Sequence, residues 1–499
     1  MLKLPRPSDL GVPHETWRTP QEQLFSRVLD GDCPRWVFAK APPGTGKSAF
    51  AVGLARLSGV KTAILTRTHS LMGQYNRLYG VPMLRGRGNF PCILPYSQVT
   101  AAEAPCSSGK QCSLIPQCPY YIQRNRALDA PIFVTSYAYY LTDAIYGATI
   151  KGRFPTVICD EGHNLIGDLS RFETMTVPAD LARQLPLDTR SIPRWATATL
   201  DLLPEPDEDD TSKEGGRLRS LRKTLNRLRH IDPDAVYLRL AQAKGAIQLA
   251  PLWPTRGAER YFNRASRVIV MSATLHPGGV IPRVMGVDNW GDVEVASTFP
   301  KERRPFYYWP QGKASYSKGN SEQVYRDISR AVSAIIHRYP ESKGLIHVSS
   351  FYQAGMLHRT ISAGSVPIIL HSASSPGGRA ETMERFRKLP PPAWLISPSA
   401  FEGQDFPDDD ARVQVIAKTL FLDLSDPVTK ARADDGKLGR DWYRAEAANR
   451  VTQAYGRVMR SDNDWGFTYG LDGTLIYLTR GRVTLPQYVM EAWIPVKEV

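Results

Sequence analysis

Short apolar runs that end at polar or glycine-bearing loops recur along the chain. They are RWVFA from Arg35, KTAIL from Lys61, PIFVT from Pro131, TVIC from Thr156 and RVIVM from Arg267, then KGLIHV from Lys343, VPIIL from Val366, AWLIS from Ala393 and TLIYL from Thr474. Strands of this kind alternating with helical stretches predict two parallel-sheet α/β domains. A ligand would then sit between them, at the carboxyl ends of the first sheet. Two intervals interrupt the alternation. One holds a cysteine-rich stretch between Arg85 and Arg126. The other, about 110 residues long, separates DEGHNL from VIVMSATL. Within it, the helix RLRSLRKTLNRLRH puts Leu218, Leu221, Leu225 and Leu228 on one stripe. Arg217, Arg219, Arg222, Lys223, Arg227 and Arg229 fill its other faces, as a solvated hairpin or a surface that grips nucleic acid.

Several loops carry chemistry. Ala41-Pro42-Pro43-Gly44-Thr45-Gly46-Lys47-Ser48 fits A-x-x-x-x-G-K-S between a strand and a helix. Its glycines let backbone N–H groups turn onto phosphate oxygens, Lys47 supplies charge at the β/γ-phosphates, and Ser48 offers a hydroxyl to Mg²⁺. Asp160 and Glu161 follow the apolar TVIC; Asp160 suits Mg²⁺ held through water, and Glu161 suits an attacking water. Ser272, Ala273 and Thr274 come next, then Glu402, Gly403 and Asp405, then Gln453, Gly456, Arg457 and Arg460. The i, i+4, i+7 spacing of Gln453, Arg457 and Arg460 predicts one shared helix face, either a solvated basic surface or cations for a transferring phosphate. Thr274 is the candidate for coupling hydrolysis to motion.

Composition narrows the class. A chain of 499 residues needs more than one core; it is 42% hydrophobic and 22% charged, with no run approaching a membrane span. A soluble intracellular protein is expected, in the cytoplasm of a bacterium or virus-infected host cell, or on the nucleoid. The net charge of +14 and pI near 9.4 fit a polyanionic partner or simply a basic surface. Six cysteines make no disulfide scaffold. Cys159 reads as a small buried hydrophobe, and Cys33 has no assigned role. The other four, Cys92-x13-Cys106-x5-Cys112-x5-Cys118, lack the close pairs of structural zinc modules. Wide spacing suits an iron–sulfur cube, with zinc still open. Arg85, Arg87, Lys110, Arg124 and Arg126 surround them, interleaved with Phe90, Tyr96, Tyr120 and Tyr121, as single-stranded DNA binding would use; the tyrosines equally suit a small core.

In this order, A-x-x-G-x-G-K-S, the Asp-Glu-x-His box, SAT and Q-x-x-G-R-x-x-R resemble a superfamily 2 helicase with tandem RecA-like domains. TRTHSLMGQY, RGRGNFPC, CPYYIQRNRAL, STFPKERRPFYY and SDNDWGFTYGLD add a specific similarity to the XPD/DinG family of iron–sulfur helicases. The resemblance runs from Arg18 to about Asp472. It implies an α/β fold of two RecA-like domains, the first interrupted by a small Fe–S domain and a compact helical Arch domain. The implied divisions are 1–80, 127–165 and 256–298 for the first domain, 81–126 for the Fe–S domain, 166–255 for the Arch and 299–499 for the second domain. It further implies ATP and Mg²⁺ as cofactors and a [4Fe-4S] cluster on Cys92, Cys106, Cys112 and Cys118. Arg18 and Gln21 would read adenine, Glu402, Gly403 and Asp405 would help bind the nucleotide, and Arg457 and Arg460 would act as arginine fingers. The implied activity is 5′→3′ translocation on single-stranded DNA with unwinding of forked duplex, in DNA repair, as a monomer that a single-strand-binding or loading protein could assist. No fused nuclease is expected, with 17 residues before Arg18. Rival readings are a nucleoprotein-remodelling ATPase, an RNA helicase and a redox-sensing DNA-binding module. Two positions depart from the family pattern: Gly162 replaces the usual alanine, a change expected to be sterically mild, and Gln404 stands where an apolar residue is usual.

Overall fold

The computed structural model describes residues 4–497, except 96–98, 105, 107–110, 148, 151, 206–212, 255–256, 276, 314–320, 376–377, 401–405, 407 and 460–463. The chain opens the first sheet with β1 (Trp36–Lys40), β2 (Thr62–Thr66), β3 (Met83–Leu84), β4 (Ile132–Ser136) and β5 (Thr156–Cys159). It leaves to form β6 (Met175–Val177), β7 (Tyr237–Ala241) and β8 (Ile247–Pro251), then returns as β9 (Arg267–Ser272) and β10 (Trp290–Glu294). The first sheet runs β10-β1-β9-β5-β2-β4-β3, all parallel. β11 (Phe306–Tyr308), β12 (Lys343–His347), β13 (Ile368–Leu370), β14 (Ala393–Ser397), β15 (Val413–Ile416), β16 (Phe467–Gly470) and β17 (Trp493–Pro495) make a second parallel sheet, ordered β13-β14-β12-β15-β16-β11-β17. These are two tandem RecA-like domains.

Strand order fixes where the motifs meet. β9 lies between β1 and β5, with Lys40 aligned to Ser272 and Cys159 to Val270. The loops after all three strands therefore emerge side by side at one edge. β1, β2, β12 and β14 are buried throughout, as continuous apolar runs require when helices cover both sheet faces.

One predicted strand is wrong. TLIYL is a 3₁₀ helix, Gly473–Leu478, with the Asp472 carboxylate accepting from the Thr474 N–H. Leu475 and Leu478 are buried and Tyr477 between them is exposed, a three-residue period that suits 3₁₀ geometry. Strands β10, β11, β15 and β16 escape the pattern because polar or glycine positions interrupt them, and β17 because it is three residues ending at Pro495.

The two interruptions differ in substance. Among the described residues of the cysteine-rich module, the buried cluster comprises Phe90, Ala101, Cys118 and Tyr120. The later insertion carries, beside helices Ile192–Leu202 and Lys213–Leu228, the antiparallel sheet β6-β8-β7. Leu225 and Leu228 are fully buried against it, and Leu221 packs at its margin. Among the described residues, no helix is long and apolar enough to cross a membrane.

Candidate nucleotide site and nucleic-acid surfaces

The loop after β1 turns through Gly44 (φ 81°) and Gly46 (φ 76°), a left-handed backbone that favours glycine. Side chains close over both glycines. A Cβ on Gly44 would meet the Phe299 ring at 2.3 Å, and one on Gly46 would meet Gln21 Nε2 at 2.4 Å. Gln21 is buried; its Oε1 accepts from the Arg18 N–H at 2.8 Å and its Nε2 donates to Gly46 O at 2.9 Å. The Arg18 guanidinium donates to Gly44 O. Arg18 and Gln21 thus brace the loop itself. Ala41 and Thr45 are buried, Pro42 and Pro43 shape the entry, and Lys47 Nζ reaches Ala41 O at 3.2 Å across the loop mouth. A cavity of about 630 Å³ opens here, lined by Arg18, Gln21, Lys47, Ser48, Asp160 and Glu161.

Asp160 closes β5 almost without exposure. Its Oδ2 accepts from the Tyr75 hydroxyl at 2.8 Å and its Oδ1 from the Glu161 N–H at 3.0 Å. Burial, with the neighbouring Glu161 carboxylate, pushes the Asp160 carboxyl up. Burial opposes ionisation of Glu161 too, but His163, Lys47 and Arg457 outweigh it and hold that carboxyl low. Glu161 has φ 53°, a conformation that a non-glycine residue adopts only where its surroundings enforce it. Gly162 is not the mild replacement expected. A Cβ there would lie 2.2 Å from Val270 Cγ1 on β9, so glycine is what lets this turn close against β9.

His163 gathers the remaining motifs. Its Nδ1 lies 2.8 Å from Ser272 Oγ and 3.3 Å from Glu161 Oε2; its Nε2 lies 2.8 Å from both Gln453 Nε2 and Asn164 Nδ2. Amide N–H groups facing Nε2 place the ring proton on Nδ1. Ser272 Oγ also meets Thr274 Oγ1 at 3.3 Å. His163 therefore carries the link between the Asp-Glu turn, the SAT loop and the second domain. Its place in the Asp-Glu-x-His box does not by itself disclose that role. Tyr75 was also passed over, because it sits with Met72 and Tyr79 on the buried stripe of helix His69–Tyr79 and reads as core.

The second domain delivers Gln453 and Arg457, but not on one helix face as predicted. Helix Gly436–Tyr455 ends before Arg457, with the Gly456 N–H bonding to Thr452 O at 3.0 Å. Gln453 occupies the last turn and Arg457 the turn beyond. Both line a second cavity of about 570 Å³ between the domains, facing Pro43, Lys47, Glu161 and Thr274. Arg460, Glu402, Gly403, Gln404 and Asp405 lie outside the described residues.

All four clustered cysteines are free thiols, Cys118 buried and the others half-buried. Among the described residues, no three His, Cys, Asp or Glu side chains are gathered closely enough to hold a metal ion. The donor set still has the right chemistry: four cysteines outside any disulfide, in a module whose buried apolar cluster is small among the described residues. The surrounding arginines and aromatics pair with each other. Arg87 lies 4.9 Å over Tyr120 and 5.3 Å over Tyr121, donates to Tyr121 Oη at 2.9 Å and approaches Cys106 Sγ at 3.8 Å; Arg85 lies 5.4 Å over Phe90. Tyr120 is core, bonded to the Tyr139 hydroxyl at 2.9 Å. Arg126 and Ile122 are exposed, while Tyr96 and Lys110 lie outside the described residues.

A cavity larger than these two, about 900 Å³, lies elsewhere, between helix Lys213–Leu228 and the first domain. Arg219, Lys223, Arg229 and Arg260 line it with Phe172 and Tyr261. Its carboxylate, Glu173, accepts from Tyr261 Oη at 3.1 Å, and burial pushes the Glu173 carboxyl up to about 7 against the pull of Tyr261 and Arg260. The basic faces of the helix are partly spent inside the fold. Arg217 pairs with Asp180 at 2.9 Å, and Arg222 donates to Leu203 O at 2.8 Å.

Comparison with known proteins agrees with this geometry. A helicase C-terminal domain model matches residues 334–488, and a DEAD_2 model matches residues 97–179. The regulator of telomere elongation helicase 1 homologs of Drosophila grimshawi and Drosophila ananassae are similar over 75 residues, at 36% and 37% identity. That stretch is 13% of this chain and 8% of each relative, so the chain spans only a small part of the curated relatives it matches. An XPD helicase structure superposes with a TM-score of 0.59 at 16% identity, covering 96% of this chain and 99% of that one. Xpd4 of S. tokodaii gives 0.59 at 15% identity, covering 96% and 100%. At such identity the likeness speaks for the fold.

Proposed function

The chain is a member of the XPD/DinG-like superfamily 2 helicases, and from that premise we propose that it is an ATP-dependent DNA helicase translocating 5′→3′ on single strands. One observation carries the reading. Lys47, Glu161 and His163 of the first domain meet Gln453 and Arg457 of the second around one interdomain cavity, and Asp160 lines the adjoining cavity at the phosphate loop. Binding in that cleft favours domain closure and hydrolysis releases it, which converts turnover into movement along a strand.

In this reading Lys47 and the N–H groups of the 41–48 loop hold the β/γ-phosphates. Ser48 and Asp160 would hold Mg²⁺, which when bound neutralises charge on the phosphate oxygens. Glu161 orients a water against the γ-phosphorus and takes its proton as the bond to the ADP oxygen breaks. His163 fixes Glu161 and reports its state to Gln453. Arg457 meets charge on the transferring group from the opposite wall. Cys92, Cys106, Cys112 and Cys118 would hold a [4Fe-4S] cluster, whose four thiolate bonds would staple a module too small for its own core. DNA as the polyanion rests on the family, the net charge of +14 and the basic groove beside Arg219 and Arg229.

The test is hydrolysis by the full chain with single-stranded DNA, RNA or neither, beside unwinding of forks with 5′ or 3′ tails. DNA-stimulated hydrolysis with unwinding from a 5′ tail is expected. Lys47→Ala should abolish hydrolysis and leave DNA binding largely intact. Stimulation by RNA alone, or stimulated hydrolysis with forks left intact, would replace this reading with an RNA helicase or a nucleoprotein remodeller.

A further inference from the structure

Tyr75 is fully buried, and a phenylalanine would fill its place in the stripe of helix His69–Tyr79. Its hydroxyl is the feature that packing does not require. That hydroxyl donates to Asp160 Oδ2 at 2.8 Å, while Asp160 Oδ1 accepts from the Glu161 N–H at 3.0 Å. Both carboxylate oxygens are thereby anchored and the side chain is confined to one orientation. Asp160 and Ser48 line one cavity together with Lys47.

We infer that Tyr75 is a positioning residue for the divalent cation of the nucleotide complex, orienting Asp160 through its phenol. The inference rests on the proposed ATP-binding function and adds a residue from outside the phosphate loop and the Asp-Glu turn. The Tyr75 hydroxyl and the Glu161 N–H prearrange the Asp160 carboxylate before the cation arrives, so removing the hydroxyl reduces the benefit of Mg²⁺ rather than the fit of the nucleotide.

The experiment measures the affinity of a fluorescent ATP analogue with Mg²⁺ and with EDTA, for the wild-type chain, Tyr75→Phe, Asp160→Asn and the double variant. Tyr75→Phe should keep the EDTA affinity and lose about tenfold of the gain from Mg²⁺, as expected for one hydrogen bond to a charged group. Asp160→Asn should lose at least as much of that gain, and the double variant should be little worse than Asp160→Asn alone, since Tyr75 acts through that carboxylate. The ratio of the two affinities is insensitive to the folded fraction, so partial unfolding of a variant would not obscure the result. A full Mg²⁺ gain in Tyr75→Phe, an equal loss with and without Mg²⁺, or losses that multiply in the double variant would overturn the positioning role. Absence of nucleotide binding by the wild-type chain would instead overturn the proposed function beneath it.

Discussion

Val270 explains why residue 162 is glycine. The strand that lies beside β5 projects its Cγ1 to within 2.2 Å of where a Cβ on Gly162 would stand. Gly162→Ala should therefore cost about 1–3 kcal/mol of stability by overpacking and should displace Glu161, lowering hydrolysis further than stability alone explains. Adding Val270→Ala should restore both, which thermal melts and steady-state ATPase on the two variants will check. A second residue-scale prediction concerns Glu173, whose carboxyl is raised to about 7 by burial. The folded state binds that proton more tightly than the unfolded chain does, so stability falls as pH rises from about 4.5 to about 7 and the full cost stands above that window. The cost is on the order of 3 kcal/mol. Glu173→Gln should raise the melting temperature at pH 8 and change it little near pH 5.

The helix Gly436–Tyr455 spans from the nucleotide cleft to the root of the later insertion. At one end it carries Gln453 to His163. At the other, Asp435 accepts from Trp253 Nε1 at 2.5 Å, Trp442 packs edge-on to Trp253 at 5.4 Å, and Asp441 pairs with Arg283 at 3.1 Å. Beside it Arg432, on helix Pro427–Asp434, donates to Leu252 O at 2.6 Å, Pro251 O at 3.1 Å and Ser170 Oγ at 2.8 Å. The second domain is thus fastened where β8 and the helix after the Asp-Glu turn meet the first domain. Arg432→Ala would strand those buried acceptors at a cost of about 2 kcal/mol and slacken the fastening. Unwinding should fall more than basal hydrolysis, measured on one preparation; equal losses would mean the contact serves stability alone.

At the scale of the whole molecule, the cysteine module has a buried cluster of four among its described residues, so its order should depend on the four thiols. Protein purified without oxygen should be brown and contain iron and sulfide. Cys112→Ser should lose that absorbance and the unwinding activity while much of the basal ATPase persists; zinc without iron would refute the assignment. The net charge of +14 should make DNA affinity fall steeply between low and physiological salt, with a log–log slope that counts displaced counterions.

The motifs and the eight strands with long apolar runs were legible in the chain because their signals are local, while the other nine strands among the described residues were not. An apolar run, a glycine loop before Lys47 and an acidic pair after TVIC each need only a few neighbours to be recognised. The helix stripe at Leu221, Leu225 and Leu228 was legible for the same reason, since its period is built into the backbone. Tertiary structure decided what depends on partners distant in sequence. Sheet order set β9 between β1 and β5 and brought three loops to one edge. Gly162 took its meaning from Val270, and His163 became a hub only once Ser272 and Gln453 arrived beside it. Arg457 left the helix because the chain turns at Gly456, and TLIYL became a 3₁₀ turn because Asp472 caps it. Tyr75 was invisible for the opposite reason: its ring obeys the core pattern, and only the position of its hydroxyl, against Asp160, sets it apart.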